Sequence, residues 1–149
     1  ISRIMSLRDG LKKMSKSEDS DYSIINLKDS ADDIVKKIKK AKSDSSPIPD
    51  NTKELESKPE ALNLINIYAE LTNSSSEKVL DKMKGKDYSF LKKKLSEILV
   101  EVVCPLGKKI KKLMNDRNYL EDILKEGTKN ANKIAENNLK QIKNIVGLL

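Results

Sequence analysis

Apolar residues that return every third or fourth position, with lysines and acids between them, constrain this chain more than any other feature. The longest run passes from Phe90 through Leu91, Leu95, Ile98, Leu99, Val102 and Val103 to Leu106, Ile110, Leu113 and Met114. Side chains at that spacing collect on one face of a helix, whereas a half-buried strand needs strict alternation. The same period occurs at Ala31, Ile34, Val35, Ile38 and Ala41, and at Ala61, Leu64, Ile65, Tyr68 and Leu71. It returns at Ala131, Ile134, Ala135, Leu139, Ile142 and Ile145. Alternating patterns are scarce and no repeat of fixed period is present. The expected fold is all-α, a bundle-like cluster of helices.

Local signals place the ends of these elements. Ser30 with Asp33 makes a capping box ahead of the first stripe. Between Lys42 and Lys58 the composition shifts to Ser, Asp and Asn with Pro47 and Pro49, which predicts a long ordered loop. Pro59 suits the first turn of the next helix. A short helix from Glu77 to Met83 follows, capped by Ser75 or Ser76 and stopped by Gly85. Pro105 is expected to kink or divide the long helix, and Gly127 to separate two helices after Leu124. Ile1 to Leu27 lacks a helical period and reads as an extended segment followed by an exposed loop. Because the sequence begins at Ile1 rather than Met, it is expected to be a piece of a longer protein.

Composition removes several kinds of chemistry. There is no histidine, so neither a Ser-His-Asp nor a Cys-His site can form within this chain. The single cysteine, Cys104, cannot make an internal disulfide or a thiolate zinc cluster, and is expected to pack as a small hydrophobe. No metal-ligating set is assigned. Thirty basic residues against 23 acidic ones give a net charge of +7, which suits a polyanionic partner and equally a solvated lysine-rich surface. The most apolar stretch, Ile98 to Cys104, is short and interrupted by Glu101, so no membrane span is expected. One unpaired cysteine fits a reducing, cytoplasmic setting.

One short string can carry chemistry. Lys13-Met14-Ser15-Lys16-Ser17 sets two ammonium groups three residues apart with hydroxyls beside them, on a loop that follows Gly10 and Lys12. Two flexible point charges of this kind can follow a triphosphate and meet the charge that builds on a departing pyrophosphate. Ser15 and Ser17 can add hydroxyl hydrogen bonds. A chance string in a lysine-rich chain is the competing reading. None of the five glycines stands in a P-loop or G-x-G-x-x-G spacing.

The run Arg3-Ile4-Met5-Ser6-Leu7, a spacer and then Lys13 to Ser17 resembles the KMSKS signature loop of class I aminoacyl-tRNA synthetases, in the form carried by the bacterial-type tryptophanyl enzymes. Three later segments resemble successive parts of that family in the same order: Asn63-Leu64-Ile65-Asn66-Ile67-Tyr68, Gly85-Lys86-Asp87-Tyr88, and Glu126-Gly127-Thr128-Lys129-Asn130-Ala131-Asn132-Lys133-Ile134-Ala135. Their order disfavours the related tyrosyl enzymes. The resemblance implies activation of L-tryptophan by ATP, with Mg2+, to an adenylate, and transfer to tRNA(Trp). It places Lys13 and Lys16 at the phosphates as catalytic groups. Met14 and the backbone of Ile4 would lie against the adenine, and Ser15 and Ser17 would complete the nucleotide-binding loop.

The resemblance further implies that residues 1–27 end a catalytic nucleotide-binding domain and that residues 28–149 form a helical anticodon-binding domain. The family's His-containing ATP signature and tryptophan pocket would precede Ile1, so the piece alone is expected to be inactive, the full enzyme being a homodimer. Glu18-Asp19-Ser20 stands where many relatives carry Asp-Pro. The clusters Lys36-Lys37-Ile38-Lys39-Lys40, Lys92-Lys93-Lys94 and Lys108-Lys109-Ile110-Lys111-Lys112 either position tRNA phosphates or are ordinary solvated faces. Tyr68, Tyr88, Phe90 and Tyr119 either stack on unpaired bases or pack in the core. The alternative to a ligase is a non-catalytic basic helical module that binds RNA or protein.

Overall fold

A computed structural model describes residues 3–18 and 20–148. Among them the regular elements are a short 3-10 turn (Asp21–Ser23) and helices α1 (Ala31–Lys40), α2 (Thr52–Glu56), α3 (Pro59–Leu71), α4 (Ser76–Met83), α5 (Tyr88–Asn115) and α6 (Arg117–Ile145). No strand appears among the described residues beyond one isolated antiparallel bridge. The chain divides into two compact units, Ile1–Lys108 and Lys109–Leu149.

The first unit holds the core. Ile34 and Ile38 of α1, Leu64 and Ile65 of α3, Val79 of α4, and Leu91 and Leu95 of α5 are fully buried together, with Leu7, Ile48 and Leu55 from the connecting chain and α2. Caps set the element starts as expected. The Asp33 N–H donates to Ser30 Oγ and the Ser30 N–H to an Asp33 carboxylate oxygen, closing the box that begins α1. Pro59 opens α3, and Ser75 Oγ accepts from the Lys78 N–H at the start of α4. Gly85, at φ +68°, takes the left-handed conformation that ends this region. Its N–H donates to the Ile48 carbonyl, while the Ile48 N–H donates to Lys86.

Three expectations are corrected. The stretch 42–58 is not loop throughout: Asn51 accepts from the Glu54 N–H and donates to the Glu54 carboxylate, which starts α2. Pro105 does not divide α5, which continues to Asn115. Proline removes the donor that the Glu101 carbonyl would use, but both residues lie on the exposed side of the helix, where a lost backbone bond costs less than in the core. Gly127 does not end a helix either. α6 runs through it, and the chain breaks earlier, at Asp116, whose carboxylate accepts from the Tyr119 N–H. A single glycine in a helix costs about 1 kcal/mol relative to alanine, less than a cap and continuous backbone bonding supply.

The second unit contains the end of α5 and all of α6, which has no buried residue. Ile123, Leu124, Ile134, Leu139 and Ile142 of its apolar stripe are exposed. No described helix is long and apolar enough to cross a membrane.

Candidate functional site

The segment around Lys13 is held by a narrow hairpin. The Ser6 N–H donates to the Lys12 carbonyl (2.8 Å) and the Met14 N–H to the Ile4 carbonyl (3.1 Å), which puts Met5 directly opposite Lys13. The connecting turn is fastened to the core. Leu7 is buried, its N–H donates to Ser23, and its carbonyl accepts from Lys42. Asp9 accepts from the Leu11 N–H with its side chain and from the Lys12 N–H with its carbonyl. Gly10 sits on the first turn of α3, where a Cβ would come within 2.5 Å of the Pro59 backbone. Only glycine fits that approach.

Beyond the hairpin the polar ends are free. Lys13 and Lys16 are exposed and make no ion pair among the described residues, whereas Lys12 lies 4.0 Å from Asp9. Ser15 Oγ and Ser17 Oγ share a hydrogen bond of 2.9 Å, and the Glu18 N–H donates to the Ser15 carbonyl. Ile4 and Met14, on paired positions, are half-buried and pack against the core cluster. The six residues assigned from sequence therefore fall on one segment, with apolar side chains toward the protein and two ammonium groups toward solvent. Asp19, part of the departure noted after the motif, lies outside the described residues.

The lysine clusters separate into different roles. Lys37 is buried, with its Nζ 2.9 Å from Asp21 and 2.8 Å from Asp29. Burial pulls its pKa down, but the two carboxylates prevail and hold it above the ordinary lysine value. Lys92 is half-buried and donates to the carbonyls of Ala41 (2.7 Å) and Lys39 (3.4 Å) and to Ser43 Oγ (2.8 Å), thereby closing the C-terminal end of α1. Burial, with some repulsion from Arg8, lowers its pKa. Lys94 pairs with Glu97, and Lys40 covers the Tyr22 ring. Lys36, Lys39, Lys93, Lys108, Lys109, Lys111 and Lys112 face solvent.

The aromatic residues also divide. Tyr88 is buried and its hydroxyl has no hydrogen-bond partner among the described residues; burial first, then the charges of Asp44 and Glu60, push its pKa up to about 12. Tyr68 is half-buried, Phe90 lies under the Lys86 ammonium, and Tyr119 is exposed on α6.

Sequence reasoning missed Asn63. It is buried in α3, and its amide bonds the backbone of the hairpin: the Met5 N–H donates to Oδ1 (2.9 Å), and Nδ2 donates to the carbonyls of Met5 (2.9 Å) and Ser6 (3.3 Å). The available signal was a polar residue inside the apolar run Ala61-Leu62-Asn63-Leu64-Ile65.

Comparison with known proteins shows the family. The family model described as tRNA synthetases class I (W and Y) matches residues 1–103. A tryptophan–tRNA ligase of Mesorhizobium japonicum is 46% identical over 147 residues, covering 99% of this chain and 41% of that protein. One from Rickettsia felis is 44% identical over 147 residues, covering 99% of this chain and 44% of the relative. The chain thus spans about two-fifths of the length of the curated relatives it matches. The crystal structure of tryptophanyl-tRNA synthetase from Mycoplasma pneumoniae superposes with a TM-score of 0.74 at 28% identity, over 99% of this chain and 44% of that one. This chain belongs to the class I tRNA synthetase family of the tryptophan and tyrosine type.

Proposed function

We propose that the chain is the C-terminal part of a cytoplasmic, homodimeric tryptophan–tRNA ligase. In the reaction a tryptophan carboxylate oxygen bonds to the α-phosphorus of ATP while the bond to pyrophosphate breaks. The terminal ribose hydroxyl of tRNA(Trp) then takes the aminoacyl group and AMP leaves. Lys13 and Lys16 meet the negative charge that grows on the departing pyrophosphate, which accelerates the step because that charge is larger in the transition state than in bound ATP. Ser15 and Ser17 donate to phosphate oxygens, and Met14 with the Ile4 backbone lies against the adenine. Mg2+ accompanying ATP would supply further positive charge at the phosphates, and no carboxylate of this chain is assigned to hold it.

Residues 1–27 supply the loop of the catalytic domain, and residues 28–149 the helical anticodon-binding domain. The solvent-facing lysines of α1 and α5 contact tRNA phosphates. The observation that carries the reading is the pair of exposed ammonium groups at Lys13 and Lys16, without an ion pair among the described residues, on and just beyond a hairpin fastened to the core. The test is tryptophan-dependent exchange of pyrophosphate into ATP by the full-length enzyme. Exchange that needs tryptophan and is not supported by tyrosine is expected. RNA binding with no exchange would instead favour the non-catalytic module.

A further inference from the structure

Asn63 is the one polar residue among the buried side chains of α3. A buried amide is costly unless its donors and acceptor are matched, and here both ends are matched by backbone of the hairpin. The geometry explains why an amide stands there. Ile4 and Ser6 direct their hydrogen bonds across to Met14 and Lys12, so the N–H and carbonyl of Met5 point the other way. The Asn63 side chain takes both, as an adjacent strand would. Lys13 stands opposite Met5, so one continuous line of contacts runs from α3 through Asn63 and Met5 to the first lysine of the loop. Gly10 against Pro59 gives the hairpin a second contact on the same helix.

We infer that Asn63 is a positioning residue for adenylate formation: it locks Met5 to α3 and so sets where Lys13 stands relative to the phosphates. The inference rests on the ligase reading. It makes α3 and the base of the loop one body, so a shift of this helix carries the lysine with it. A displacement of about 1 Å at a reacting centre can cost on the order of a hundredfold in rate.

The experiment uses the full-length enzyme. Asn63→Ala is expected to lower kcat of pyrophosphate exchange about 10- to 100-fold with the KM for tryptophan unchanged. Amide exchange at Ser6 and Met14 should quicken while that of α5 stays slow. Asn63→Asp keeps the shape but faces the Met5 and Ser6 carbonyls with an acceptor. A protonated carboxyl restores the missing donor, so its kcat relative to wild type should rise as pH falls from about 8 to about 6, the range into which burial moves such an acid. Ile67→Val, a packing change on the same helix, should lower thermal stability without changing kcat.

Absence of exchange in the wild-type enzyme would sink the ligase reading and this inference with it. Normal wild-type exchange with an unaltered kcat in Asn63→Ala, or a pH-independent loss in Asn63→Asp, would overturn the inference alone.

Discussion

Lys37 and Lys36 are neighbours in one cluster, yet the first is buried between Asp29 and Asp21 and the second faces water. Removing the buried ammonium leaves Asp29 uncompensated. Lys37→Ala is expected to cost about 3 kcal/mol, the low end for a buried pair broken on one side because Asp21 stays solvated. Chemical denaturation checks it: Lys36→Ala should shift stability by less than about 0.5 kcal/mol. The pair also sets a sign at high pH. Its pKa is raised over 10.5, so its contribution is complete below that value and is lost as pH rises through the folded pKa.

The acidic limb runs the other way. Hydrogen bonds from Ser30 lower Asp33, and the Lys58 and Lys42 partners lower Asp44 and Glu60. Near their ordinary values of 3.8 and 4.5 the unfolded chain binds more protons, so stability is full above these values and falls as pH drops below them. An unfolding midpoint that stayed flat from neutrality through this range would contradict these pairings. Of these partners only the Ser30–Asp33 box was legible in the sequence, because it is local; Lys37 looks like any exposed charge until α1 turns it inward onto Asp29.

Element ends were more legible than element interiors. The Ser30 box, Pro59 and the Ser75 cap act through neighbours in sequence, so their effect is readable without knowing the fold. Ser30→Ala should cost about 1 kcal/mol. Gly127, and Pro105 as a point of division, were misleading because their cost depends on exposure and on what flanks them, which the sequence does not display. A Cβ at Gly127 meets nothing within 4 Å. Gly127→Ala should therefore stabilise α6 by roughly 0.5–1 kcal/mol, seen as greater resistance of that helix to amide exchange. The same change at Gly10 should be destabilising, since the Pro59 backbone occupies the space. α2 had a readable start in Asn51 and Glu54, but the prolines before it hid the signal.

For the whole molecule, the all-helical class followed from the period of the apolar residues, and the family from the ordered segments around Lys13 to Ser17. What the sequence did not display was how the loop is held. The hairpin depends on Asn63, more than fifty residues away, and on a backbone contact that leaves no mark except a glycine. If the exposed lysines meet tRNA phosphates, neutralising one of Lys36, Lys39 or Lys93 should reduce the salt slope of tRNA binding by about one, while Lys37→Ala should leave it unchanged.

The most direct measurement is single-turnover formation of tryptophanyl-adenylate by the full-length enzyme with Lys13 and Lys16 both changed to alanine. The rate is predicted to fall by more than about a hundredfold while tryptophan still binds, as expected when contacts to developing charge are removed. A rate equal to that of the wild-type enzyme would contradict the assignment of these two ammonium groups to the departing pyrophosphate.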